Sequence, residues 1–173
     1  SLHDALPISH DTMLFFSQMG KCFWLPVYQI PEGTRTSKGR AIQNMISLPP
    51  DDKIMAYIDI HDLEDEAFIN EHYLVFCTKK GTIKKTTVEA FSRPRANGIV
   101  AINIAEGDEL LAVRLTNGNC EVMMAVKSGR AIRFPEEKVR PMGRTATGVI
   151  SSELADDQDE VVGMITVEKG DKE

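Results

Sequence analysis

A short segment with the pattern of a β-hairpin occurs three times in this chain. Each copy has an apolar run, a polar turn that ends in glycine, and a second run; the copies read FFSQMGKCFWL, VFCTKKGTIKKT and MAVKSGRAIRF. The turn glycines are Gly20, Gly81 and Gly129. Because glycine readily adopts the positive φ of a tight turn, each copy predicts two antiparallel strands joined by a hairpin.

Two further motifs follow each hairpin in the same order. A basic loop reaches a second glycine, at Gly39, Gly98 and Gly148. An acidic turn then leads into an alternating strand, which reads DDKIMAYIDI, GDELLAVRL and DQDEVVGMITV in the three copies. Self-similarity at a period of about 50 residues is typical of propellers and related arrays. We therefore predict an all-β, propeller-like fold of about three consecutive four-stranded blades, with almost no helix.

The repeats also set the predicted domain boundaries within the 173 residues. Repeat one covers 11–72 and ends in the acidic stretch HDLEDEAFINEH, which we interpret as a solvated connection between blades. Repeat two covers 73–119 and repeat three covers 120–173, and all three belong to one partial domain of a longer protein. Residues 1–10 match no repeat, so we interpret them as a foreign or disordered leader.

Positive charge is concentrated in three windows, although the net charge of the chain is −6. The windows run from the hairpin turn to the second glycine (20–40, 79–98 and 127–148), and they hold 16 of the 20 Lys and Arg but 4 of the 26 Asp and Glu. Local charge, rather than net charge, decides what binds to a face of a protein. Because equivalent loops of neighbouring blades lie side by side, we expect a curved positive rim that binds the phosphates of double-stranded DNA.

The basic loops place Arg among Gly, Pro and Thr and contain no recognition helix, which suits contact with the DNA backbone rather than with bases. We expect the side chains to be exposed on the rim, with the densest cluster in repeat two. The candidate DNA-binding residues are Arg35, Lys38, Arg40, Lys79, Lys80, Lys84, Lys85, Arg93, Arg95, Lys127, Arg130, Arg133, Arg140 and Arg144.

Motifs for catalysis and metal binding are absent from the sequence. There is no GxxxxGK[ST], GxSxG or HExxH, and the acidic stretch of repeat one lacks the glycine of an EF-hand loop. The three cysteines, Cys22, Cys77 and Cys120, show no CxxC spacing and are typical of reduced thiols in a cytosol. No apolar run approaches the roughly 18 residues of a membrane helix. We predict no catalytic residue, no metal site and no cofactor in this segment, and no membrane partner.

The stretches VYQIPEGTRTSKGRAIQN, GTIKKTTVEAFSRPRANGIVAI and VRPMGRTATGV resemble the C-terminal domain family of DNA gyrase A, and the resemblance covers almost everything after residue 10. It implies a six-bladed β-pinwheel in which neighbouring blades exchange strands. It also implies a non-catalytic module that bends DNA and presents it for ATP-dependent strand passage and negative supercoiling. The implied partners are the remainder of the gyrase A polypeptide and the gyrase B polypeptide. ATP and Mg²⁺ would bind elsewhere in a cytoplasmic, chromosome-associated bacterial holoenzyme.

Three alternatives stay open at this point. The family's Gln-Arg-Arg-Gly-Gly-Arg/Lys-Gly box is absent, and its nearest match is RTSKGR at 35–40, so the equivalent domain of the related topoisomerase IV remains a candidate. A protein-interaction propeller of the WD40 or kelch kind is a second alternative, although no WD dipeptide occurs. A propeller enzyme is the third, and it would need carboxylates that converge on a channel.

Overall fold

The computed structural model of the protein describes residues 10–30, 44–150 and 159–169. Within these residues the chain forms three antiparallel sheets, one for each repeat, which we name sheets one, two and three. The strands are β1 (Thr12–Ser17), β2 (Lys21–Pro26), β3 (Ile54–Ile60), β4 (Tyr73–Thr78), β5 (Thr82–Thr87), β6 (Ile99–Val100), β7 (Leu110–Thr116), β8 (Cys120–Val126), β9 (Ala131–Pro135), β10 (Val149–Ile150) and β11 (Val161–Glu168). The one α-helix in the described part is α1 (Glu66–Glu71), so the prediction of an all-β fold is confirmed.

The predicted hairpins are confirmed in all three repeats. They join β1 to β2, β4 to β5 and β8 to β9. The turn glycines Gly20, Gly81 and Gly129 have φ angles of +93°, +90° and +96°, which other residues adopt only with strain.

A carboxylate from the acidic turn caps each hairpin. In every repeat, an Asp side chain accepts a hydrogen bond from a backbone N–H in the hairpin turn. The pairs are Asp52 with Met19 at 3.1 Å, Asp108 with Lys80 at 3.0 Å, and Asp159 with Ser128 at 3.2 Å. The acidic turns therefore have a structural role, because they satisfy backbone donors that the hairpins leave open.

Each of the first two sheets is completed by a strand from the following repeat. The strand order is β3-β1-β2-β6 in sheet one, β7-β4-β5-β10 in sheet two and β11-β8-β9 in sheet three. β6 belongs to repeat two but pairs with β2, and β10 belongs to repeat three but pairs with β5. We call β6 and β10 the exchanged strands. This exchange confirms the β-pinwheel arrangement that the family resemblance predicts.

The second glycine of the repeat lets each exchanged strand approach its neighbour. Gly98 and Gly148 precede β6 and β10 and have φ angles of +75° and +104°. A Cβ at Gly98 would lie 2.6 Å from the Phe23 ring, and a Cβ at Gly148 would lie 2.6 Å from the backbone oxygen of Ile83. Both positions therefore require glycine for its conformation and for its small size.

Two hydrophobic clusters lie between the sheets. The first packs sheet one against sheet two around Phe16, Phe76 and Phe91, whose ring centroids lie 5.4–6.1 Å apart. The second packs sheet two against sheet three. Sheet two is therefore covered on both faces, and five of the six residues of β4 are buried. Among the described residues, sheet three packs against another sheet on one face. Its strand β11 therefore has exposed residues between its buried residues, unlike β4.

The acidic connection after β3 is more structured than a solvated linker. It contains α1, whose first turn is capped by the Asp65 side chain accepting from the backbone N–H of Phe68 at 3.2 Å. Leu63 and Ile69 are buried in the core between sheets one and two, while most of the carboxylates point to solvent. The connection thus helps to cover the core at the boundary between repeats one and two.

Candidate nucleic-acid interface

The structure separates the candidate DNA-binding residues into distinct groups. Arg35, Lys38 and Arg40 lie outside the described residues. Lys84 and Lys85 lie on the central strand β5, and their exposed fractions are 0% and 4%. The expectation that these two lysines are exposed on the rim is wrong, because sheet two has a neighbouring sheet on each face.

Lys84 points into the interface between sheets one and two. Its Nζ donates hydrogen bonds to the backbone oxygen of Ala101, at 2.6 Å, and to the backbone oxygen of Arg144. The ammonium also lies 5.8 Å from the centroid of the Phe76 ring. Burial, with a smaller contribution from the Arg144 charge, lowers the pKa of Lys84 from 10.5 to about 8.

Lys85 points into the opposite interface, between sheets two and three, because successive strand residues face opposite sides. Its Nζ donates to the backbone oxygen of Glu136 at 3.2 Å and lies 4.7 Å from the centroid of the Tyr73 ring. Glu136 is fully buried, so this interface contains the acidic side chain of Glu136 as well as the basic side chain of Lys85. Neither Lys84 nor Lys85 is positioned to contact a duplex at the surface.

A second group of candidate residues, Lys79, Lys80, Lys127 and Arg130, lies at the ends of the hairpins, where carboxylates are close. The ammonium of Lys79 lies 3.4 Å from a carboxylate oxygen of Glu109 and 3.9 Å from one of Glu160. Lys80 follows in the same turn, beside Asp108. Lys127 and Arg130 belong to the equivalent turn of repeat three, where Asp159 caps the turn. The charge at these ends is mixed, which weakens them as a site for phosphate.

Arg133 also has an acidic neighbour. It lies on β9, and its Nε is 3.6 Å from a carboxylate oxygen of Glu121 on β8. Arg133 is exposed and Glu121 is partly exposed, so this pair contributes little to stability, but the carboxylate offsets the positive charge of the guanidinium.

The remaining candidates lie in two loops that lead into the exchanged strands. We call residues 92–98 and 137–148 the edge loops, because β6 and β10 form the same edge of successive sheets. The first edge loop carries Arg93 and Arg95, and both are exposed. The second carries exposed Arg140 and the partly exposed Arg144. Lys138 is not among the predicted residues, but it is also exposed in the second loop. Its position in the basic window 127–148 is the sequence signal that could have identified it.

The two edge loops carry few carboxylates. Glu89 precedes the first loop and forms an ion pair with Arg93 at 2.7 Å. Glu137 begins the second loop and binds Lys169 at 2.8 Å, a contact that lowers the pKa of Glu137 and raises that of Lys169. Within the described residues, therefore, the balance of charge on the edge loops is positive.

Hydrogen bonds connect the second edge loop to the chain that follows the first. The Arg144 guanidinium donates to the backbone oxygen of Val100 at 3.2 Å. The Asn103 amide donates to the backbone oxygen of Thr145, and the Asn103 N–H to that of Ala146 at 3.4 Å. Lys84 bridges the same two segments from the protein interior. The structure thus brings the basic loops of repeats two and three together along one edge.

The described residues offer little for other chemistry. They contain no cluster of three or more His, Cys, Asp and Glu that could hold a metal ion. Cys22, Cys77 and Cys120 are buried, and burial raises the pKa of the Cys77 thiol to about 12. No helix in the described ranges is long and apolar enough to cross a membrane.

Together these features define a strand-exchanged β-propeller segment with basic loops along one edge. A family model described as "DNA gyrase C-terminal domain, beta-propeller" matches residues 11–56, 72–117 and 121–168. The chain belongs to this DNA gyrase C-terminal domain family.

Relatives and solved structures agree with this assignment. The chain is 44% identical over 157 residues to DNA gyrase A of Salmonella typhimurium, and 44% identical over 156 residues to that of Staphylococcus aureus. These alignments cover 91% and 90% of the chain but 17% of each relative. The crystal structure of the C-terminal domain of DNA topoisomerase IV superposes with a TM-score of 0.79 at 28% identity, over 91% of this chain and 47% of that one. A structure of the DNA gyrase A C-terminal domain gives a TM-score of 0.72 over 93% of this chain and 49% of that one; at 22% identity it supports the fold alone.

Proposed function

We propose that this chain binds double-stranded DNA along its edge loops, without regard to base sequence, and bends it. The observation that carries the proposal is the position of the two basic loops, which lie along the same edge of successive sheets. Hydrogen bonds also connect the second loop to the segment that follows the first. An edge with several Arg and few free carboxylates attracts phosphate, and its described residues offer no helix or strand that would enter a groove to read bases. The sequence has a third basic loop at the equivalent position of repeat one, with Arg35, Lys38 and Arg40, which lie outside the described residues.

The arrangement of the sheets supports the proposed bend. A duplex that contacts equivalent loops of successive blades must follow their curvature, and Lys and Arg on its inner side neutralise the phosphates that are brought together. The energy of bending a duplex of 20–30 base pairs is on the order of 1–6 kcal/mol, which several phosphate contacts can offset.

We place this activity in a type IIA topoisomerase, as part of DNA gyrase A. The names of the relatives support that assignment. The bent duplex would be presented for ATP-dependent strand passage and negative supercoiling in a bacterial cytoplasm, in association with the chromosome. The remainder of the gyrase A polypeptide and the gyrase B polypeptide would be the partners. They would also bind ATP and Mg²⁺, since we assign no catalytic residue, metal or cofactor to this segment.

The C-terminal domain of topoisomerase IV is the second candidate. The TM-score of 0.79 with such a domain favours it, and so does the absence of the gyrase box from the sequence. The 44% identity to DNA gyrase A over most of the chain favours the first candidate.

Fluorescence anisotropy with two unrelated duplexes tests the proposal. We expect similar affinities for both, and a slope of log K against log salt between about −4.5 and −7 if five to eight phosphates are contacted. The double variant Arg95→Glu/Arg140→Glu should weaken binding to both duplexes and flatten the slope by about 2. The matched control is Lys53→Glu/Arg114→Glu, because it makes the same change in charge at exposed positions on the opposite edge of the sheets.

Bending has a separate readout. A fragment of about 150 base pairs has the length of one persistence length, so a protein that bends it should accelerate its ligation into a circle. The proposal fails if the Arg95→Glu/Arg140→Glu variant binds as well as its control. Binding without faster circle formation would overturn the bending part alone.

A further inference from the structure

Two consecutive lysines of β5 donate hydrogen bonds to both ends of the second edge loop. Lys85 donates to the backbone oxygen of Glu136, just before the loop, and Lys84 donates to the backbone oxygen of Arg144, near its end. The backbone of β5 makes a further contact, since the N–H of Met142 donates to the backbone oxygen of Lys85 at 2.7 Å. The loop that carries Lys138, Arg140 and Arg144 is therefore fixed on one strand of sheet two.

Lys84 differs from the other contacts because it also reaches the segment that follows the first edge loop. Its ammonium donates to the backbone oxygen of Ala101 at 2.6 Å, and Ala101 directly follows the exchanged strand β6. It thus lies between segment 99–103, which follows the first edge loop, and segment 143–146, which is part of the second. A hydrophobic side chain would fill the space in this interface but could not donate to either carbonyl.

We infer that Lys84 is a positioning residue for DNA binding: it aligns the edge loops of repeats two and three without touching the duplex. The inference rests on the proposed function. The physical reason is that a phosphate track requires cations of neighbouring loops at a fixed spacing. The Lys84 ammonium bonds to the second edge loop and to the segment that directly follows the first. Burying this charge opposes folding, so a role in alignment explains the residue better than a role in stability.

The test uses Lys84→Met in the full chain, with Met164→Ala as the control. Met keeps the length and apolar volume of the side chain but removes the donor. Met164 is buried on β11 in the cluster between sheets two and three, so its truncation lowers stability without removing a hydrogen bond to an edge loop. We expect Lys84→Met to weaken binding to duplex DNA by about tenfold and to reduce the salt slope by about 1, because one phosphate contact loses its alignment. Met164→Ala should change neither when both are measured below their melting temperatures.

Hydrogen exchange supplies a readout that needs no DNA. Segments 99–103 and 143–146 should exchange faster in Lys84→Met than in the wild type, and not in Met164→Ala. Emission from Trp24, the single Trp, reports that sheets one and two remain packed, because its indole N–H donates to the backbone oxygen of Phe91 at 2.9 Å.

Each outcome decides the inference. If the wild type binds duplex DNA and Lys84→Met binds equally well, the inference is overturned while the proposed function stands. If Lys84→Met loses its sheet structure, the residue is required for folding, and the positioning role is overturned as well. If the wild type itself does not bind duplex DNA, the proposed function fails and this inference falls with it.

Discussion

Replacing Gly148 with Ala should detach an exchanged strand from its neighbour. Gly148 has a φ of +104°, and a Cβ there would lie 2.6 Å from the backbone oxygen of Ile83 and 3.0 Å from the Thr82 side chain. Because carbon and oxygen atoms need more than about 3.4 Å, β10 would have to move away from β5 by close to 1 Å. That displacement breaks the pairing of Val149 with Ile83 and of Ile150 with Thr82.

The magnitude can be separated into two parts by a control in the same repeat. Gly129 has a similar φ, +96°, but no atom lies within 4 Å of the position of its Cβ. Gly129→Ala should therefore cost only the conformational strain, about 1–2 kcal/mol. Gly148→Ala adds the loss of the strand pairing, at about 1 kcal/mol for each of the two residue pairs, and should total about 3–4 kcal/mol. For a chain of this size the difference corresponds to about 4–8 °C in melting temperature.

Thermal unfolding followed by circular dichroism measures the total effect, and hydrogen exchange over residues 82–87 and 149–150 locates it. We expect faster exchange at β5 and β10 in Gly148→Ala alone. The reasoning is refuted if the two substitutions destabilise the protein equally and β5 stays protected from hydrogen exchange in both variants. In that case the close packing of β10 against β5 would not be the reason for glycine at position 148.

Two further predictions concern Lys84 and the hairpin caps. Burial lowers the pKa of Lys84 in the folded chain from 10.5 to about 8, so the unfolded state binds more protons than the folded state between these pH values. The stability of the wild type relative to Lys84→Met should therefore rise with pH by up to about 3 kcal/mol across that window. Denaturant titrations at pH 7.5 and pH 10 that give the same stability difference between the two proteins would contradict this. Asp159→Ala should lower the free energy of unfolding by about 1–2 kcal/mol, because the carboxylate accepts hydrogen bonds from the Ser128 N–H at 3.2 Å and from the Ser128 hydroxyl at 2.9 Å. Asp159→Asn keeps an acceptor oxygen, so it should lower the free energy of unfolding less in the same melting experiment.

The hairpins could be predicted from sequence because their signals are local. Each is an apolar run, a turn with a glycine at fixed spacing, and a second run, and all three turns form as expected. The exchange of strands has no comparable signal. β6 and β10 are two residues long, and each pairs with a strand of the preceding repeat. The family resemblance, rather than any property of Ile99 or Val149, supplied that part of the fold.

The exposure of two candidate site residues, Lys84 and Lys85, was predicted wrongly, and the reason is the position of sheet two in the array. A strand at the surface of a protein alternates between buried and exposed residues, so a charged residue on it is normally solvated. β5 has a packed sheet on each side, and five of its six residues are buried, including both lysines. Counting cations in the window 79–98 therefore overestimates the charge available to a ligand.

The burial of Lys84 and Lys85 changes how charge in the repeat should be interpreted. Successive residues of a strand face opposite sides, so the two ammonium groups enter different interfaces, one shared with sheet one and the other with sheet three. Each bonds to backbone oxygens in segments that carry or adjoin surface cations. Reversing both charges would therefore weaken the proposed DNA binding even if neither lysine touched the duplex. The change would place two carboxylates against carbonyl groups in buried interfaces and displace the basic loop. Substitutions at exposed Arg95 and Arg140 separate the two effects, since these side chains can lose their charge without disturbing the contacts between sheets.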